Sequence, residues 1–197
     1  MKPYSEACER NRDPILGILR NAFADCRDVL EVGSGTGQHA VYFAHHLPHL
    51  TWQCSDVADN LPGIHAWISE SDLNNVSSPL QLDVTSEAWP QRKFDGVFSA
   101  NTVHIMSWHA VTCLFSGIGR VLRTGGRFCL YGPFNYAGNF TSDSNARFDD
   151  WLKGRDPASG IRNFEDLDTL ARQAKLRLEA DHEMPVNNRL LIWTRQA

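Results

Sequence analysis

The sequence lacks the features that tie a chain to a membrane, a polyanion or an oxidising compartment. No apolar run approaches the roughly 20 residues of a membrane-spanning helix, and the opening MKPYSEACERNRDP has no apolar core of the secretory kind. Cationic excess is absent too: 19 basic residues stand against 23 acidic ones, a net charge of −4, so neither nucleic acid nor an anionic membrane is an expected partner. Cysteine is sparse and irregular. Cys8, Cys26, Cys54, Cys113 and Cys129 are odd in number and never in C-x-x-C spacing, which argues against a disulfide framework and a zinc site. Reduced, mostly buried thiols in a cytoplasmic protein are expected. There is no internal repeat and no low-complexity linker, and 197 residues with 42% hydrophobic and 21% charged content fit a single domain over residues 1–197.

What is present alternates. Asp13-Pro14 followed by Ile15, Ile18, Leu19, Ala22 and Phe23 predicts a helix over about 13–24, with Asp13 as cap and Pro14 at its first position. Short runs rich in Val, Leu, Phe and Tyr predict buried strands at Val29–Val32, Thr51–Ser55, Leu80–Val84, Phe94–Ala100 and Arg127–Tyr131. Helical spacing separates them at Ala40, Phe43, Ala44 and Leu47, and again from Val111 to Leu122 before Gly125-Gly126. Strands alternating with helices mean a parallel, doubly wound α/β sheet. One more helix around Leu167–Ala174 precedes LRLEADHEM and RLLIWTR, whose connection is too short for a parallel crossover. The sheet therefore ends in an antiparallel hairpin. Residues 133–162 show no clear periodicity, are polar and aromatic, and are expected to be a substrate-binding or lid insertion.

The segment LEVGSGTGQHAVYFA brings Gly33, Gly35 and Gly37 between the first strand and a helix, where a cofactor can approach bare backbone. A dinucleotide fingerprint wants glycine at its sixth position, and that position here is Gln38. A tight turn required only for packing is the alternative. Asp56 ends the second strand 19 residues after Gly37, where a carboxylate can accept the ribose hydroxyls of either NAD or S-adenosylmethionine. Glu31 just before the glycines discriminates between them: a buried acid repels pyrophosphate but tolerates a cationic sulfonium. Asp83 in QLDV is placed to accept the adenine amino hydrogen, or is simply a strand-end cap.

With these residues in place, VLEVGSGTG, CSD, LDV and FSANTVHI resemble the successive cofactor motifs of class I S-adenosylmethionine-dependent methyltransferases, whose mostly parallel sheet also finishes in an antiparallel hairpin. More narrowly, ERNRDPIL, SGTGQHAVYFA, NTVHI, YGPF and EMPVNN resemble a small methyltransferase-like family, a domain of unknown function with no assigned substrate, from about Ser5 to Thr194. The resemblance implies a Rossmann-like seven-stranded sheet and S-adenosylmethionine as cofactor. It also implies that Glu31, Gly33, Ser34, Gly35, Gly37 and His39 line the methionine and sugar part, that Asp56 holds the ribose, that Asp83 and Val84 flank adenine, and that Asn101 and Thr102 lie beside the methionine. Val186 stands where the family commonly has alanine.

Methyl transfer asks mainly for proximity and orientation, plus a base when the nucleophile carries a proton. His104 is the candidate base, with a half-buried structural histidine as its alternative. Asn101 stands where a metal-dependent enzyme wants an acid, so a metal-independent reaction is expected, and the absence of N-P-P-Y makes DNA bases improbable substrates. Tyr131 and Asn135 in YGPFN are candidates for substrate or catalytic contact, and Phe134, Tyr136, Phe140, Phe148 and Trp151 are either a lid or satellite core. Arg12, Asn187 and Asn188 are candidate grips for a small polar substrate, against the plainer readings of surface ion pair and turn residues. The expected function is methylation of a small molecule; a cofactor-binding partner subunit without catalysis of its own is the rival, and an NAD-dependent oxidoreductase is disfavoured by Glu31 and Gln38.

Overall fold

A computed structural model describes residues 2–197. The helix α1 (Glu6–Ala22) starts seven residues earlier than Asp13-Pro14 indicated, because Ser5 is the cap: its hydroxyl accepts from the Cys8 amide, and Pro14 lies inside the helix. The first turns are polar and only Ile15, Leu16, Leu19 and Ala22 reach the core, so nothing apolar marks the true start. The chain then alternates through β1 (Asp28–Val32), α2 (Gln38–His46), β2 (Thr51–Asp56), α3 (Leu61–Ser69), β3 (Val76–Gln81), β4 (Phe94–Ala100), α4 (Trp108–Val121) and β5 (Leu122–Gly132). A two-residue strand β6 (Phe134–Asn135) pairs in parallel with β7 (Arg162–Asn163), and α5 (Asp143–Arg155) lies between them. After α6 (Phe164–Gln173) come β8 (Leu176–Met184) and β9 (Asn188–Arg195).

The seven long strands form one sheet in the order β3-β2-β1-β4-β5-β9-β8, parallel from β3 to β5 and antiparallel from β5 through β9 to β8. The layers follow from alternation along the strands. Trp52, Phe98, Cys129 and Tyr131 face one core with Ile15, Leu19, Phe43 and Ile64 from α1, α2 and α3. Leu30, Phe128, Leu130 and Trp193 face the other, with Leu114, Phe115 and Ile118 of α4 and Leu167 of α6.

Two local expectations need correction. The third strand is Val76–Gln81 rather than Leu80–Val84, so Asp83 lies beyond it in a turn. As an outer strand with Pro79 inside, β3 has no continuous apolar run to announce it. Residues 133–162 are not an irregular loop, since α5 spans much of them. Its buried residues are Asn145, Asp149 and Leu152, a mostly polar inner face that leaves no hydrophobic stripe in the sequence. No helix among the described residues is long and apolar enough to cross a membrane, and all five cysteines are unpaired.

Candidate functional site

In this sheet the chain runs outward from β1 to β3 and returns to the other side at β4, so a crevice opens at the carboxyl ends of β1 and β4. The loop Gly33–Gly37 fills its floor. Gly33 and Gly37 are bare for packing: both have positive φ, and a Cβ would come within 2.5 Å of the Thr102 methyl at Gly33 and 3.0 Å of the Ile64 Cα at Gly37. Gly35 shares the positive φ, at 56°, but differs in packing, because apart from its chain neighbours a Cβ there would meet nothing within 4 Å. It is the point of the loop at which the backbone is open to a ligand. The loop is tied down from below by Gly33 and Ser34 amides donating to the Ser55 carbonyl at 3.0 and 3.1 Å, and by the Ser55 amide donating to Ser34 Oγ.

The acids differ in environment. Asp56 places its carboxylate on the loop: Oδ2 accepts from the Gly35 amide at 2.6 Å, and Oδ1 accepts from the Val57 amide and Asn60 Nδ2. These three bonds leave capacity on a group with roughly four acceptor sites. Glu31 is fully buried beneath the loop, where Oε2 accepts from the Trp52 indole at 3.1 Å. Burial pushes its pKa up to about 7, against the opposing hydrogen bonds from Trp52 and Ser34. A carboxyl near its titration point beside the glycine floor is a poor neighbour for phosphate and an adaptable one for a cation. Asp83 is exposed and accepts from the amide and hydroxyl of Thr85, the turn-residue reading, while Val84 beside it is buried.

The second half of the crevice lies over β4 and β5. Asn101 takes φ of 57°, a left-handed conformation at the strand end, and its amide donates to the Tyr131 carbonyl. Thr102 Oγ1 shares a 2.7 Å hydrogen bond with Ser99 Oγ, holding its methyl against the glycine loop. His104 is buried, its ring edge-on to Phe148 at 5.3 Å, and Nδ1 has no protein partner. Burial, aided by the charge of Arg162, lowers its pKa to about 4 rather than leaving it in the working range expected of a free imidazole. The ring is therefore neutral at physiological pH. Its loop is clamped from outside: Arg162 donates to the carbonyls of Val103, Met106 and Ala158, and the Gly160 amide donates to the His104 carbonyl. Nothing in the sequence around Arg162 signals this.

Residues 2–195 match the family model DUF938, described as a protein of unknown function. The chain belongs to that family. Its fold is shared with larger solved structures. An O-methyltransferase family protein from Burkholderia thailandensis superposes with a TM-score of 0.83 at 17% identity, covering 98% of this chain and 58% of that one. The S-adenosylmethionine-dependent methyltransferase SibL, in its apo form, gives 0.81 at 21% identity, over 96% and 56%. Human N-acetylserotonin methyltransferase in complex with its cofactor gives 0.75 at 12% identity, over 94% and 55%. The chain thus spans little more than half the length of these neighbours, which share its methyltransferase fold.

Of the remaining candidates, His39, Tyr131 and Arg12 lie on the α1 side of the sheet. His39 Nε2 hydrogen-bonds Asn11 Oδ1 at 2.7 Å and its ring stacks on Phe43, with burial lowering its pKa to about 4. Tyr131 is buried in the same core, turned to the sheet face opposite that of Leu130, and burial raises the pKa of its hydroxyl. Asn188 Nδ2 donates to the Pro185 carbonyl, and Asn187 ties the β8–β9 turn to α5 through Ser144 and Asn145. Arg12 pairs with Glu9 and lies over the Tyr42 ring, with Nε buried and unpartnered. Asn135 is buried with Oδ1 unpartnered. Phe148 stacks on Trp151 at 5.8 Å, and Trp151 and Phe140 are largely exposed. Sequence reasoning missed Gln38 as an anchor: its amide side chain exchanges hydrogen bonds with the Ser5 backbone, fixing the start of α1 over the glycine loop. Among the described residues no group of His, Cys, Asp and Glu is arranged to hold a metal.

Proposed function

We propose that the chain is a cytoplasmic S-adenosylmethionine-dependent methyltransferase for a small acceptor molecule, working without a metal ion. The observation that carries this reading is the open floor at Gly35, with the Asp56 carboxylate bonded to its amide at 2.6 Å and, apart from its chain neighbours, no atom within 4 Å of where a side chain would stand. An adenosyl ligand fits those donors and acceptors: Asp56 takes the ribose hydroxyls, Gly33–Gly37 pass under the methionine part, and Val84 offers an apolar edge to the base. Glu31 supports a cationic ligand over a pyrophosphate one. The methyltransferase neighbours are consistent with the same chemistry.

When bound, the cofactor supplies an electrophilic methyl group on a sulfonium sulfur. The chain's part is to hold the acceptor in line with it and receive a proton. Asn101 and Thr102 border the site from the end of β4, and neutral His104 has a free ring nitrogen for the proton that the acceptor loses as its bond to carbon forms. Burial and the charge of Arg162 hold the pKa of His104 below that of a free imidazole, so the ring is in the neutral, proton-accepting form. Calorimetric titration tests the assignment. S-adenosylmethionine and S-adenosylhomocysteine should bind at micromolar levels, about −8 kcal/mol, and NADH should not. NADH binding with no adenosylhomocysteine binding would return the dinucleotide reading.

A second reading, a cofactor-binding partner subunit without catalysis of its own, is favoured by the weak basicity of His104. Transfer of a labelled methyl group from the cofactor to any small molecule of a cell extract by the purified chain would exclude it.

A further inference from the structure

Gly132, the last residue of β5, has a bare Cα that neither backbone nor packing demands. Its φ is not in the left-handed region, and a Cβ built on it would lie 3.8 Å from His104 Nδ1, 3.8 Å from Phe134 Cζ and 3.9 Å from Asn101 Oδ1. All are ordinary van der Waals distances. The glycine instead leaves a vacant spot that an imidazole nitrogen and a carboxamide oxygen both border. Only three buried side-chain polar atoms among the described residues lack a protein partner, and one of them, His104 Nδ1, borders this spot. A buried polar atom left without a partner carries a cost that a ligand group of the right polarity recovers.

The polarity is readable from what surrounds the spot. Asn101 Oδ1 is an acceptor by chemistry, and a neutral imidazole offers a lone pair on whichever nitrogen lacks the proton. The nearby cations are spent: Arg162 donates to the Val103, Met106 and Ala158 carbonyls, and Lys153 pairs with Asp149 at 2.5 Å. So is the nearby acid, since Asp149 Oδ1 accepts from the Ile161 amide. Phe148 and Trp151 add an apolar wall beside His104.

We infer that Gly132 keeps space beside His104 for the acceptor's reacting group and selects an uncharged molecule presenting an O–H or N–H donor, received by His104 Nδ1 and the carboxamide oxygen of Asn101. The inference rests on the methyltransferase reading and names the acceptor class for that same site: a hydroxyl or uncharged nitrogen nucleophile, not a carboxylate, ammonium or thioether.

Phenol and fluorobenzene are matched probes, similar in shape and differing in the donor hydrogen; phenol is neutral at pH 7, its pKa being about 10 as in tyrosine. Each is titrated into the nitrogen-15-labelled chain, with and without S-adenosylhomocysteine, while the ring nitrogens of His104 are followed by NMR and assigned with His104→Gln. Phenol should shift the His104 resonance saturably and fluorobenzene should not, and Gly132→Ala should weaken phenol at least tenfold while leaving adenosylhomocysteine affinity within twofold. Equal response to both probes, or none to phenol in either state, would overturn the inference. The contrast between the probes is read on the unaltered chain, so a misfolded Gly132→Ala variant leaves it decisive. Adenosylhomocysteine binding is scored separately: if it fails while phenol shifts His104, the cofactor reading falls and the pocket stands, and the converse result leaves the cofactor reading intact.

Discussion

The two halves of the sheet's carboxyl rim are built by different means. Over β1 and β2 the site is mostly backbone, with three glycines, amides donating to Ser55, and a carboxylate whose oxygens are already in hydrogen bonds. Over β4 and β5 it is side chain, and the Nδ1 of His104 there is buried and unpartnered. A satisfied half can exist unchanged with or without ligand; an unsatisfied half carries a standing cost that only a ligand or water removes. On the proposed methyltransferase reading, the difference corresponds to a general-purpose cofactor floor beside a selective acceptor wall.

Substitutions should separate the halves. The largest effect is expected for His104→Ala, which should lower methyl transfer to extract acceptors by ~100-fold or more, the usual weight of a positioned acid–base group. Adenosylhomocysteine affinity should stay within twofold, and an unimpaired variant would leave His104 as packing for Phe148. Next comes pH. Glu31 has its folded pKa raised from 4.5 to about 7, so its contribution is fully present below pH 4.5 and is lost as pH rises through 7. Glu31→Gln keeps an acceptor for Trp52 and removes the titration, so the variant should gain on the parent by about 3 kcal/mol between pH 4.5 and 8 in urea unfolding. His39 and His104 act oppositely: their pKa values are lowered from 6.5 to about 4, so the stability they contribute above pH 6.5 is lost as pH falls through 4. A pH-independent difference between Glu31→Gln and the parent would mean that the acid is not desolvated.

Smaller again, Asp56→Ala should weaken adenosylhomocysteine by ~30-fold, about 2 kcal/mol, from lost charge-assisted hydrogen bonds. It should leave the phenol response of His104 unchanged, and loss of both would show the halves to be one coupled unit. The smallest effect lies away from both. Val186 is exposed in the β8–β9 turn with φ of 61°, next to Asn187 at 57°, and a β-branched residue is poorly suited to that conformation. Val186→Asn should stabilise by about 1 kcal/mol, raising Tm by roughly 2–4 °C in calorimetry. No gain would mean that the strain is already relieved.

Legibility followed hydrophobicity. Phe94–Ala100 is bounded as the sequence indicated because it is a central strand, buried along most of its length, in which Phe94, Val97 and Phe98 mark the core. The edge strand β3, the polar inner face of α5 and the first turns of α1 offered no such run, and the Asp13-Pro14 pair imitated a helix start in the middle of one. At the site, Gly33, Gly35, Gly37 and Asp56 were readable because a fixed spacing after strands reflects a backbone requirement. The engagement of His39 with Asn11 was not, nor was the clamp of Arg162, since these partners lie far apart in the chain.

By itself the sequence determined the alternating α/β layout, the antiparallel finish and the glycine floor, all of which depend on local periodicity and backbone freedom. Only the tertiary structure decided which polar groups are satisfied and which are left open. That balance is struck between residues brought together from distant segments, where burial turns Glu31 half-neutral, His104 fully neutral, and a bare Gly132 into a vacancy with polar walls.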